Sequence, residues 1–431
     1  MKNIIILCDG TGNEISENIS NVLKFYRCLR KTDRTSPRQM VFYDPGVGTL
    51  ARPNPWRKLA QDFTAILGLA TGYGLDDKVL QSYLFLVRHY EPGDQIFLFG
   101  FSRGAYTVRV LAGLLHKVGL ISPEQANLAG SGLTSYKQFS SDGQQGQGFD
   151  ASALTDAADA DGPLAASKYD QAAQFARITS TRWPLVRFVG VWDTVASVIV
   201  PRPDRLYWPS FEELAYTLQN PSVQTFRQAI SIDERRAMFR LKKWDQPQVY
   251  RHNRFNDAHS EPQDIKQVWF AGVHSDVGGG YPEIESGLSK YPLLWMIEQA
   301  VQCGLTVNPR TVNQLAWGIQ RKGSPFAYVA PNPEAMLHQS LHGAWWLLEF
   351  FPKNAKYREW PSRPIYFGRY IPDAEPRPIP EGASIHESVV KRMEALGDYR
   401  PVNLPARFET VPMPVPPVHA GVEEAAGEGD A

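Results

Sequence analysis

Short apolar runs, each closed by a polar or glycine-rich stop, alternate along the chain with segments of helical periodicity. Asn3–Cys8 (NIIILC) is apolar throughout and ends in Asp-Gly-Thr-Gly, the pattern of a parallel strand covered on both faces. Residues 40–44 (MVFYD), 95–99 (QIFLF), 185–193 (LVRFVGVWD), 267–276 (QVWFAGVHSD) and 363–371 (RPIYFGRYI) repeat the pattern, the last being the final strand candidate. Between them, 18–31, 76–90, 103–117, 288–303 and 385–395 carry helical spacing. In 76–90, Val79, Tyr83, Leu86 and Tyr90 share one face; in 103–117, Tyr106, Val110, Leu111 and Leu114 do. Strands alternating with helices predict an α/β fold, a mostly parallel sheet with helices on both faces.

Two stretches interrupt the alternation. Residues 122–182 read as an insertion, and within it 141–165 is rich in Gly, Gln, Ser, Ala and Asp and is expected to be mobile. The aromatic-rich segment 200–264 reads as a cap. The domain is thus expected over 1–410, with a Pro-rich, then acidic, disordered tail over 411–431.

Lys and Arg number 45 and Asp and Glu 45, a balance that argues against a dedicated nucleic-acid binder. The three cysteines, Cys8, Cys28 and Cys303, fit neither a metal spacing nor a disulfide framework, which suits a reducing compartment. The first apolar run meets Asp9 too soon for a signal peptide, and no run of 18 apolar residues occurs. Synthesis as a cytoplasmic protein is expected, with any export by a non-classical route.

The chemistry concentrates at strand ends. Gly100-Phe101-Ser102-Arg103-Gly104 matches G-x-S-x-G, follows a predicted strand and opens a predicted helix. That is the context of a nucleophile elbow and of an α/β-hydrolase-like fold: the serine sits on a strained turn at a helix N-terminus, and the small flanking residues let strand and helix approach. The N–H of Arg103 is an expected oxyanion donor, and Gly10 or Thr11, in the loop after the first strand, a second. A serine nucleophile needs a histidine base and a carboxylate to orient it. Asp193 and Asp276 both end strands. His386 follows the last strand candidate, where hydrolases place their base, so Asp193 with His386 is the expected pair; His274, with Asp276 beside it, is the alternative. Asp9, His274 and Asp276 could also be read as a metal-dependent phosphoesterase site, but their spacing matches no recognisable ligand motif. A non-catalytic hydrolase-like binding module is the remaining rival.

Seven segments resemble a family of bacterial and fungal α/β-hydrolases that includes the first class of type VI secretion lipase effectors. They are CDGTGN (8–13), YDPGVGT (43–49), PGDQIFLFGFSRGAYTVRVLAGLL (92–115), VGVWDTV (189–195), SIDERRAMF (231–239), VWFAGVHSDVGGGY (268–281) and IHESV (385–389). The resemblance implies a Ser-Asp-His hydrolase of carboxylic esters, phospholipid acyl esters foremost, with Ser102, Asp193 and His386 as the site. It implies no cofactor. It further implies a lipid or ester substrate, a membrane surface, a secretion spike and an immunity protein as partners, and no nucleic acid. The apolar segments 63–75 and 345–351 are the candidates for a lipid-facing surface, although core packing is the commoner fate of such runs.

Overall fold

The computed structural model describes residues 1–10, 18–46, 74–145, 171–179, 181–195, 199–201, 209–211, 214–343, 345–350, 352–355, 358–361 and 363–416. The 63–73 part of the first apolar segment, most of the glycine- and glutamine-rich run and the tail beyond 416 lie outside these residues.

Eight strands form one sheet: β1 (Asn3–Cys8), β2 (Gln39–Asp44), β3 (Gln95–Phe101), β4 (Val186–Trp192), β5 (Val223–Ser231), β6 (Asp264–Phe270), β7 (Ala383–His386) and β8 (Phe408–Val411). Their order is β8-β7-β6-β5-β4-β3-β1-β2, and every pairing is parallel. This is the α/β-hydrolase-like sheet that the alternation predicts. The chain runs from β1 out to β2 on one side, then returns to β3 on the other. The crevice at the carboxyl ends of β1 and β3 is therefore a topological switch point, where open parallel sheets place their ligands.

Alternate side chains of β1 and β3 feed a core on each face of the sheet. Ile4, Ile6, Ile96 and Leu98 pack on one face with helices α1 (Leu75–His89) and α2 (Arg103–Lys117). Ile5, Leu7, Phe97 and Phe99 pack on the other with Val22, Phe25, Leu293 and Met296, from the helices Asn21–Cys28 and Lys290–Gln302. Such burial on both faces is what makes β1 and β3 read as unbroken apolar runs.

Two expectations need correction. Segment 200–264 does not all lie outside the sheet, because it supplies β5 to the middle. Arg227 and Gln228 hide that strand in the sequence, and both are buried with partners. Arg227 donates to Gln299 (2.7 Å) and Asp264 (2.7 Å), and Gln228 accepts from the fully buried Arg109 (3.0 Å). Residues 363–371 are not the last sheet strand. Only Arg369–Tyr370 is extended, paired antiparallel with Lys353–Asn354, and Ile365, Tyr366 and Phe367 are exposed. The final strands are the four-residue β7 and β8. Among the described residues no helix is long and apolar enough to cross a membrane.

Candidate active site

The G-x-S-x-G segment forms the turn between β3 and α2. Ser102 is the N-cap residue, with φ 57° and ψ −122°, a conformation that side-chain-bearing residues seldom adopt. The turn fits because the residues two before and two after it are glycines. A Cβ on Gly100 would sit 2.5 Å from the Gly104 carbonyl oxygen, and one on Gly104 would sit 2.1 Å from that of Cys8. The second contact presses the start of α2 against the end of β1, at the switch point. The Ser102 N–H donates to the Trp192 carbonyl (3.1 Å), which ties the elbow to the end of β4.

The residue after Trp192 is Asp193. It also has a positive φ, 35°, and no solvent exposure. His274 donates from Nδ1 to Asp193 Oδ2 at 2.5 Å. The other contacts of the carboxylate are Ser231 N–H and Oγ, each 3.0 Å from Oδ1, and Arg377, whose Nη1 and Nη2 reach Oδ1 (2.6 Å) and Oδ2 (3.2 Å). Burial works against the charge of Asp193, but Arg377 and His274 outweigh it and hold the carboxyl far below the usual range.

His274 opens the five-residue helix α3 (His274–Gly278), just after β6. Its ring lies 4.6 Å from that of Phe101, the residue before Ser102, and 4.8 Å from Phe239. Its backbone N–H donates to Glu234 (3.2 Å), a buried carboxylate that also binds Arg236 and Ser340. Burial disfavours that charge too, yet the Arg236 guanidinium brings the Glu234 carboxyl down to about 2. With Nδ1 committed to Asp193, Nε2 of His274 is left buried without a partner among the described residues. Burial also lowers the His274 pKa, against the pull of Asp193. The ring is therefore the neutral tautomer whose Nε2 accepts a proton.

His386, expected as the base, is placed elsewhere. It ends β7, is fully buried and stacks on Phe270 (4.6 Å). Its Nδ1 accepts from the Ser388 N–H (3.2 Å) and meets the Ser388 hydroxyl (2.8 Å), so the side chain caps the following helix, Glu387–Ala395. Burial pushes its pKa down to about 3. Asp193 therefore orients His274 and not His386. Asp276, the alternative carboxylate, pairs with His338 (2.6 Å).

The expected oxyanion donors divide three ways. Arg103 begins α2, where the helix N-terminus faces the serine turn. Gly10 donates its N–H to Asp9 Oδ1 (2.7 Å), which takes it out of that role in this conformation. Thr11 lies outside the described residues. The metal set does not assemble: Asp9 accepts from Tyr43 (2.8 Å) and from Ser20, while His274 and Asp276 hold the partners above. Among the described residues no three His, Cys, Asp or Glu side chains are grouped to bind a metal ion.

Asp9 and Ser20 make the β1 end rigid, because the Ser20 hydroxyl also accepts from the Leu23 N–H (3.1 Å) and caps Asn21–Cys28. Ser20→Ala removes the cap and a partner of a buried carboxylate together. A loss of about 1–2 kcal/mol is expected, read from the denaturant midpoint at unchanged m.

Arg377 and His338 did not stand out in the sequence, and Ser231 and Glu234 fall in SIDERRAMF (231–239), a segment of the resemblance to which no role was assigned. Arg377 lies in a Pro-rich loop with no pattern.

The chain is 31% identical over 245 residues to the uncharacterized protein YEL023C of Saccharomyces cerevisiae, covering 56% of this chain and 32% of that one. It thus spans about a third of the length of this curated relative. Among solved structures, an uncharacterized protein from Pseudomonas aeruginosa aligns at 18% identity over 72% of this chain and 47% of its own, with a TM-score of 0.35. A Tle1 effector bound to the VgrG spike of the type VI secretion system aligns at 18% identity over 67% and 52%, with a TM-score of 0.34. Residues 2–299, more than half of the chain, match the model of the Tle1-like phospholipase effector catalytic domain of type VI secretion, and the chain belongs to that family.

Proposed function

We propose that the protein hydrolyses carboxylic esters, with phospholipid acyl esters as the favoured substrate, through Ser102, His274 and Asp193. The observation that carries this reading is the buried His274–Asp193 hydrogen bond (2.5 Å) beside a strained serine turn at the sheet's switch point. In the proposed mechanism His274 Nε2 takes the Ser102 proton as Oγ attacks the ester carbonyl, and Asp193 fixes the tautomer and steadies the imidazolium. The Arg103 N–H at the start of α2 supports the tetrahedral oxyanion, and the Thr11 N–H is the second proposed donor. Collapse of the intermediate expels the alcohol, to which His274 returns the proton. Water then repeats the cycle on the acyl-serine.

Family membership supports a phospholipid as substrate. The surface beside the site supports it too. The Phe239 ring that packs on His274 also contacts Trp345 (5.4 Å). One residue on, Trp346 and Phe350 stack (6.1 Å) and are both exposed. Exposed aromatic side chains that follow directly on the Trp345 contact to Phe239 are suited to drawing an acyl chain from a bilayer. Type VI secretion is the proposed export route, with a secretion spike and an immunity protein as proposed partners.

The test is hydrolysis of phospholipid vesicles and of a short-chain ester by wild type and by Ser102→Ala. The variant is expected to lose about 10⁴-fold or more on both substrates, with its thermal midpoint unchanged. Ester hydrolysis retained by Ser102→Ala overturns the reading; a wild type that cleaves only the short ester keeps the mechanism and removes the lipid.

A further inference from the structure

A carboxylate that orients a catalytic histidine needs only to accept from it, yet Asp193 is gripped from behind by a guanidinium. Arg377 is buried and comes from the loop before β7. It donates Nη1 to Asp193 Oδ1 (2.6 Å) and Nη2 to Oδ2 (3.2 Å). The same fork holds the Ser231 hydroxyl (2.6 Å) and the Phe239 carbonyl (2.7 Å). It therefore locks together the carboxylate, the end of β5 and the segment whose Phe239 ring packs on His274. Arg377 is not within the motifs that carry the family resemblance.

Resting on the hydrolase reading above, we propose that Arg377 is a positioning residue of the site: it fixes the Asp193 carboxylate at both oxygens and offsets its charge, so that His274 remains a neutral proton acceptor in mildly acidic solution.

The charge layout makes the effect specific. Among the described residues, Glu234 and Arg236 act on His274 besides Asp193 and its partner Arg377, and they pair with each other at 2.9 Å. On α3 itself Asp276 is paired with His338 (2.6 Å). Glu359, earlier in the chain, also acts on Arg377 electrostatically. Glu234 is thus matched by Arg236, and the cation matched to Asp193 is Arg377. Without it, the buried Asp193–His274 pair faces an uncompensated negative charge. Whichever partner carries it, the pair then holds an extra proton to higher pH. Protonated, the pair cannot take the Ser102 proton, so the acid limb of the rate profile must move up.

The experiment is the pH dependence of kcat/KM for short-ester hydrolysis by wild type, Arg377→Gln, Arg377→Lys and Ser102→Ala. For Arg377→Gln the acid limb is expected to rise by about one to two pH units. The loss is then about tenfold or more near pH 6, shrinks toward pH 9 and falls on kcat with KM little changed. Arg377→Lys keeps the charge but not the fork; its acid limb should match wild type while kcat drops severalfold. A merely structural role would lower activity alike at all pH values and would not separate the two variants. An unmoved acid limb in folded Arg377→Gln overturns the proposal. If that variant does not fold, a raised acid limb or a wild-type kcat in Arg377→Lys does so. Hydrolysis retained by Ser102→Ala overturns the underlying reading as well, whereas an inactive Ser102→Ala with an unmoved Arg377→Gln profile overturns Arg377 alone.

Discussion

His274→Ala is expected to lower kcat by about 10⁴-fold or more, while His386→Asn leaves kcat within a few-fold of wild type. The contrast follows from what each ring touches. His274 shares a 2.5 Å hydrogen bond with Asp193, and its ring packs 4.6 Å from that of the elbow residue Phe101. Removing it takes away the proposed proton acceptor and leaves Asp193 with no imidazole to orient. His386 spends its Nδ1 on the cap of the last helix and its ring face on Phe270. Asparagine keeps a capping acceptor, so the cost of that substitution falls on packing, at about 1–3 kcal/mol of stability, and not on chemistry. Steady-state kinetics on both variants, at a temperature where each is folded, checks the pair. Comparable losses in the two would show that the hydrogen-bond geometry misassigns the base.

The second large effect concerns the elbow. Gly104→Ala is expected to destabilise the fold by about 3 kcal/mol and to reduce activity further than the lost folded fraction explains. The added Cβ would lie 2.1 Å from the Cys8 carbonyl oxygen and 2.6 Å from that of Asp9. Both are backbone atoms at the end of a fully buried strand, so neither can swing aside as a side chain could. Relief requires α2 to move away from β1, and that movement carries Ser102 with it. Gly130→Ala is the control. It sits in the exposed first turn of the helix Ala129–Gln145, where a Cβ meets nothing within 4 Å, and a gain of about 0.5 kcal/mol is expected from helix propensity. Thermal denaturation of the two variants, with activity normalised to folded protein, tests the argument.

The sequence reading went furthest where local pattern and tertiary role coincide. A strand, a G-x-S-x-G turn and a helix are contiguous, so Ser102 and its strained turn could be read from thirty residues or so of chain. The same holds for Asp193, which directly ends a strong apolar strand. His274 is different, because the fold brings it to Asp193 across a sequence separation of 81. Two histidines each end or follow a strand, and no local spacing ranks them. The choice of His386 leaned on 363–371 as the last strand, where Ile365, Tyr366 and Phe367 imitate a buried run but lie exposed at a short hairpin. The true β7 is only four residues long, too short for a periodicity signal. Central strand β5 escaped for the opposite reason: Arg227 and Gln228 break its apolar pattern, and only the tertiary partners Gln299, Asp264 and Arg109 make their burial tolerable. Arg377 could not be foreseen at all, since a loop arginine acquires meaning only through the carboxylate it meets.

Fluorophosphonate labelling with mass-spectrometric identification of the modified peptide tests the central claim most directly. The account predicts a single adduct on Ser102 in wild type, absent from Ser102→Ala, strongly slowed in His274→Ala and retained at near wild-type rate in His386→Asn. An adduct elsewhere in the chain, or His274→Ala labelling as fast as wild type, would contradict it.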